Sequence, residues 1–184
     1  MVREGHDKTF GINNSSDLLR KLEWEMQALR NASKSDLTVL CYHAFNGVVT
    51  AWHMGDWVWV ALTEDQRASL KDKHNINNKG DFLYWVRQTN QELAICREIA
   101  TASKHFAIDQ SPNEAIATVA SARTEKVIDS DGREIITGSG GFVVAPAWVL
   151  KVDDGDARRE IIDVLEEAKA FWNQFMDEQK IAHE

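Results

Sequence analysis

The apolar residues of the chain fall first into a helical rhythm. Leu18, Leu22, Met26 and Leu29 recur at three- and four-residue steps, the spacing that lines one face of a helix. Ser15 and Ser16 precede Asp17, an acidic first-turn residue, so a helix is predicted from there to about Asn31. Residues 1–14 read as a loose arm. The polar break at Ser33 to Asp36 caps a second helix, about Asp36 to Leu62. One side of it carries Leu37, Leu40, Cys41, Ala44, Val48, Ala51, Trp52, Gly55, Trp59 and Leu62. The other holds Tyr42, Asn46, Val49, His53, Asp56 and Trp57. A helix apolar nearly all round predicts a central element covered by neighbours on most sides. Gly47 and Gly55 each cost about 1 kcal/mol against alanine inside a helix. The expected compensation is close approach of another helix through Ala94, Ala100 and Ala102.

Residues 63–80 are polar and predict a helical turn or two, then a solvated loop. A helix resumes at Asp81 to Gln88 through Phe82, Leu83, Trp85 and Val86. Thr89 and Glu92 then fit a capping box, opening a helix from about Asn90 to Phe106. Ser111 and Pro112 end the helical run. From Ala115 to Val152 the strand formers Ile116, Val119, Val127, Ile135, Val143 and Val149 predict a β insertion, with a hairpin turn at Asp131-Gly132. Gly138 to Gly141 reads as a flexible connection, lacking the lysine and helix of a phosphate loop. Pro146 confines its segment to an edge or a bulge. Asp156 is expected to cap a last helix running to about Lys180 through Ile161, Leu165, Ala168, Trp172, Phe175 and Met176. The fold class is therefore mainly α: a bundle of four to five helices, in one domain over 1–184. A β-hairpin-like insertion (115–152) precedes the C-terminal helix (156–180).

Composition narrows the function classes. The 184 residues hold 21 Lys+Arg against 29 Asp+Glu, a formal net charge of −8, which argues against coating nucleic acid through bulk charge. The acid is uneven. Residues 151–184 hold 5 Lys+Arg and 10 Asp+Glu, whereas residues 37–110 hold 7 against 8. No apolar run follows the first basic residue, so no secretory leader is expected. The most apolar stretch, Leu37 to Leu62, is interrupted by His43, Asn46, His53 and Asp56, so no membrane span is expected. Cys41 and Cys96 are the only thiols and sit in apolar helical context. They read as reduced core residues, and a cytoplasmic location follows.

Two constellations could carry chemistry. Asn46, His53 and Asp56 project from one side of the second helix. A carboxylate one turn from an imidazole fixes its tautomer and raises its pKa, which suits acid–base work. The same residues could equally hydrogen-bond within a packed interior. Arg97, Thr101, Lys104 and His105 lie along a later helix, and cations beside an imidazole suit a phosphate or another anion. Their alternative is a solvated face with one salt bridge, for instance Arg97 to Asp56. If the two helices pack antiparallel, both sets converge. Trp57 and Trp148 are candidates for stacking on a ligand. His6, His43, His74 and His183 are scattered without a ligand spacing, so neither a metal nor a cofactor is expected.

The segments Ala44 to Trp59 and Ile95 to Phe106 resemble those of a group of small helical proteins of bacteria and phages. More distantly, the arrangement is similar to HEPN-like bundles, which include ribonucleases, toxins, defence proteins and inactive binding members. Their active pattern is an Arg, four to six residues, then a His. Here Arg97 and Glu98 fit its start, and seven residues separate Arg97 from His105. The resemblance implies action on RNA across a homodimer. Arg97 would steady phosphate charge, His105 or His53 would exchange protons, and Asn46, Asp56 and Lys104 would orient them. The other expectation is a non-catalytic protein binding a small anionic ligand or a protein partner, with the β insertion as lid or oligomer contact.

Overall fold

The computed structural model of the chain describes residues 9–102, 116–155 and 157–181. Helix α1 (Ser15–Asn31) starts at the expected serine pair, with Asn14 as its cap. The Asn14 side chain accepts the Asp17 N–H at 2.8 Å, satisfying a donor that the first turn leaves orphaned. Its stripe of Leu18, Leu22, Met26 and Leu29 is buried as expected. Helix α2 (Leu37–Ala61) is capped by the Asp36 side chain, which accepts the Val39 N–H. At about 1.5 Å per residue it forms the long axis on which α1, α4, α5 and α6 all pack.

Helix α3 (Glu64–His74) is a full helix where only a turn or two was expected. One buried side chain, Leu70, leaves almost no apolar stripe to read. The helix rests on its ends instead. Thr63 and Gln66 form a reciprocal capping box, and Asn75 closes the other end at φ 58°, a left-handed conformation that asparagine tolerates. Arg67 docks it on α2, stacking on the Trp59 ring and donating to the Trp59 carbonyl at 2.9 Å.

Helix α4 (Lys79–Thr89) is capped by Asn78, and helix α5 spans Gln91–Ala102. The predicted Thr89–Glu92 box does not form. Asn90 accepts the Leu93 N–H at 2.8 Å, while the Thr89 hydroxyl turns back onto the Trp85 and Val86 carbonyls. Glu92 is drawn away to Arg159.

Strands β1 (Ala117–Lys126) and β2 (Val144–Asp153) pair antiparallel, from Ala117 opposite Asp153 to Lys126 opposite Val144. A short strand β3 (Arg158–Glu160) adds to the other edge of β2, opposite residues 151–153. The Trp148 N–H points away from β1 and donates to the Lys34 carbonyl at 2.8 Å. Pro146 is two residues away and faces the same side, so its missing N–H falls on the open edge of β2.

Helix α6 (Ile161–Glu178) begins five residues later than predicted, because β3 occupies 158–160. Asp156 lies outside the described residues, and Glu160 precedes the helix without a side-chain cap. Trp172 of α6 is fully buried, and its indole N–H donates to the Ala51 carbonyl at 2.9 Å. Phe82, Phe171 and Phe175 pack around it, and Trp85 packs in turn on these three rings.

The alanines expected to approach the two helical glycines are not the residues that do so. A Cβ on Gly55 would lie 2.5 Å from Leu83 Cδ2, and one on Gly47 3.0 Å from Leu165 Cδ1. So α4 and α6 make the close approach. Among the described residues, no helix is long and apolar enough to cross a membrane.

Candidate functional site

The outward side of α2 departs most from expectation. It was predicted to be covered, yet Tyr42 is 66% exposed, and Phe45 and Val60 are exposed with it. Cys41 is exposed as well, so only Cys96 is a core thiol. Trp24 of α1 stands at the margin of this side, 61% exposed, with its ring edge-on to His43 at 6.1 Å. Between Leu37 and Leu62 the only formal charge is Asp56.

Asp56 is held on two sides. Its Oδ2 lies 3.3 Å from His53 Nδ1, one helical turn back, and its Oδ1 accepts from Lys79 Nζ at 2.7 Å. The His53 hydrogen bond, and then the Lys79 ammonium, hold the Asp56 carboxyl at about 2, below the usual 3.8 and against a partial burial that opposes ionisation. The expected His53–Asp56 pair therefore forms. Lys79, unnoticed in the sequence, joins it from the start of α4 and divides the carboxylate's charge between two donors. Asn46 is exposed two turns away on the same side.

Arg97 is half-buried on α5 and pairs with Glu98, its neighbour in sequence. It does not bridge to Asp56, whose partners are His53 and Lys79. Thr101 is half-buried near the end of α5. Lys104 and His105 lie outside the described residues, so their convergence with Arg97 and Asn46 is not described. Trp57 and Trp148 are half-buried against the core.

A second polar cluster was missed. Glu25 is 4% exposed and sits between α1 and α2. Its two oxygens meet Lys21 Nζ at 3.1 Å and His43 Nδ1 at 3.3 Å, and Lys21 also donates to the Thr50 hydroxyl at 2.8 Å. The signal was present: Glu25 lies in the middle of the apolar stripe of α1, three residues after Leu22. A carboxylate there needs partners from the facing helix.

Comparison with protein-family models, curated proteins and solved structures finds no match. The chemistry must therefore be read from the side chains alone. Among the described residues no group of His, Cys, Asp and Glu is placed to hold a metal ion. The cations near the two predicted constellations are engaged: Lys79 by Asp56, Arg97 by Glu98, and Arg159 by Glu92 and Asp154. A shallow groove between α1 and α6 is lined by Arg20, Glu23 and Lys169, and there too Arg20 pairs with Asp17 and Lys169 with Glu23. The outward side of α2, by contrast, is nearly uncharged and leaves Tyr42, Phe45 and Val60 exposed.

Proposed function

We propose that this is a non-catalytic binding protein of the cytoplasm whose partner is another protein. The observation that carries the reading is the outward face of α2, where Tyr42, Phe45 and Val60 are exposed. The one formal charge in that helix is already neutralised by Lys79. Exposed aromatic residues with few charges are the composition of protein-binding surfaces. An anionic ligand calls for unengaged cations instead, and Arg97 and Lys79 are both spent on carboxylates. The two free thiols agree with a reducing compartment.

The HEPN-like, RNA-acting reading is the competing proposal. It needs Arg97 and His105 to share one phosphate, with Arg97 released from Glu98. Purified protein incubated with mixed RNA, beside Arg97→Ala and His105→Ala, decides between the two. The binding reading expects no cleavage, or the same background in all three preparations. Cleavage that disappears in both variants overturns it. A photo-crosslinking residue at position 42 is the positive arm. A discrete protein adduct in cells, missing when the probe sits at exposed Glu64, supports the reading, and no adduct at position 42 refutes it.

A further inference from the structure

The β1–β2 ribbon continues beyond the bundle as an arm. Ala147 and Val149 are buried at its base, while residues 128–142 are exposed throughout. Past Lys126 the chain folds into a small three-stranded tip. Ile128 bridges Glu134, Ile136 bridges Phe142, and the backbone links Val127, Ile135 and Val143 in turn. Directly paired residues share a face, and side chains alternate along each strand. Ile128, Ile136, Phe142 and Val144 therefore lie on one side of the tip. The Lys126–Glu134 ion pair runs among them, and the Lys126 ammonium covers the Phe142 ring at 3.6 Å. Ile128 is 61% exposed, Ile136 59% and Phe142 47%. Ile135, on the other side of the tip, is 38% exposed. A two-stranded ribbon is marginal on its own in water, so an apolar tip of this kind calls for something to lie against.

The geometry points to a second copy of this chain: the arm tip of each protomer docks on the outward face of the other's α2, around a two-fold axis. This rests on the binding reading above and names the partner. Each chain carries both halves of the contact at one end of the molecule. The arm crosses the bundle where Trp148 bonds to Lys34, two residues before the cap of α2. Tyr42 and Phe45 lie in the first third of α2, six and nine residues past that cap. From Trp148 the arm reaches about 20 Å to Phe142, at about 3.3 Å per residue. A two-fold axis beyond this end brings each arm along the other's helix and buries both patches at once. Area agrees. Ile128, Ile136, Phe142, Trp24, Tyr42 and Phe45 each offer on the order of 100 Å² from their exposed parts. Both protomers together then bury roughly 1,200 Å², where stable interfaces begin.

Sedimentation velocity on the full chain tests this, with an arm variant (Ile136→Asp with Phe142→Asp) and a face variant (Tyr42→Asp with Phe45→Asp). The unaltered protein is expected as a dimer at micromolar concentration, and each variant as a monomer with unchanged far-ultraviolet circular dichroism. Mixed one to one, the variants retain one intact arm-to-face contact. They are expected to form a heterodimer at concentrations where each alone is monomeric. A face variant that stays dimeric, or a mixture that stays monomeric, overturns arm-to-face docking. Unaltered protein that is monomeric at about 100 µM overturns self-association, while a position-42 adduct to a different protein would leave the binding reading standing.

Discussion

Replacing Asp56 with Asn tests the assignment of the His53–Asp56–Lys79 cluster as a clamp between α2 and α4. The carboxyl is held at about 2 against an ordinary 3.8. A depressed carboxylate stabilises the fold above its unfolded value, and that contribution disappears as pH falls through its folded value. The full shift corresponds to about 2.5 kcal/mol at about 1.36 kcal/mol per unit. Asp56 is 35% exposed and Lys79 52%, so solvent screening reduces this to about 1 kcal/mol. Urea unfolding of Asp56→Asn and the unaltered chain, in parallel from pH 6 down to pH 2.5, reads the difference directly. Comparing the two proteins cancels the other carboxylates that titrate in this range. The gap is expected to be about 1 kcal/mol above pH 5, roughly halved near pH 3, and to be vanishing toward pH 2. A gap that stays constant across the range, or no gap at pH 6, refutes the clamp.

Trp172→Phe removes the indole bond to the Ala51 carbonyl and leaves space in the aromatic cluster. It is expected to cost about 2 kcal/mol, read from denaturant midpoints, and a loss below about 0.5 kcal/mol would contradict the packing. Glu25→Ala strips the carboxylate from Lys21 and His43 and is expected to cost about 2 kcal/mol, with Glu25→Gln recovering part of it; equal stability of all three proteins counts against the buried network. Ellman's reagent at pH 8 is expected to titrate Cys41 quickly and Cys96 only after unfolding, because burial pushes the Cys96 thiol up to about 12. Two fast thiols in the native protein would refute that burial.

The helices that bury a stripe could be read from the sequence, because a period of three and four residues is the imprint of a buried face. Helices α1 and α2 were bounded to within about two residues in this way. Helix α3 left no such imprint, since its stability lies in Thr63, Gln66 and Asn75 at its ends and in the Arg67–Trp59 contact. At the start of α5, Thr89 and Asn90 are both competent caps, and only the tertiary pull of Arg159 on Glu92 decides between them. The His53–Asp56 pair was legible because one turn of helix sets its spacing. Lys79 was not, since it arrives from 23 residues away. Nor was the Arg97–Glu98 pair, because adjacent residues do not face one another on an ideal helix. The exposure of Tyr42 and Phe45 was missed for a related reason. Apolar periodicity reports which residues prefer burial, not whether the chain has enough neighbours to bury them.

The proposed association through α2 fits the charge distribution of so acidic a chain. A net charge of −8 makes two copies repel at most relative orientations. The acid is concentrated at the end of the sequence, with a −5 balance over residues 151–184, while Asp56 is the only formal charge between Leu37 and Leu62. With Asp56 neutralised by Lys79, a contact centred on the first two-thirds of α2 brings no unpaired like charges together. The proposed contact on α2 is therefore one on which a second copy meets little repulsion. Placing a charge there should restore the repulsion: Val49→Glu, at a half-buried position between Phe45 and Asp56, is expected to weaken dimerisation by about tenfold at low ionic strength. The effect should shrink as salt screens it over the Debye length. A Val49→Glu protein that dimerises equally well at low salt would place the contact elsewhere.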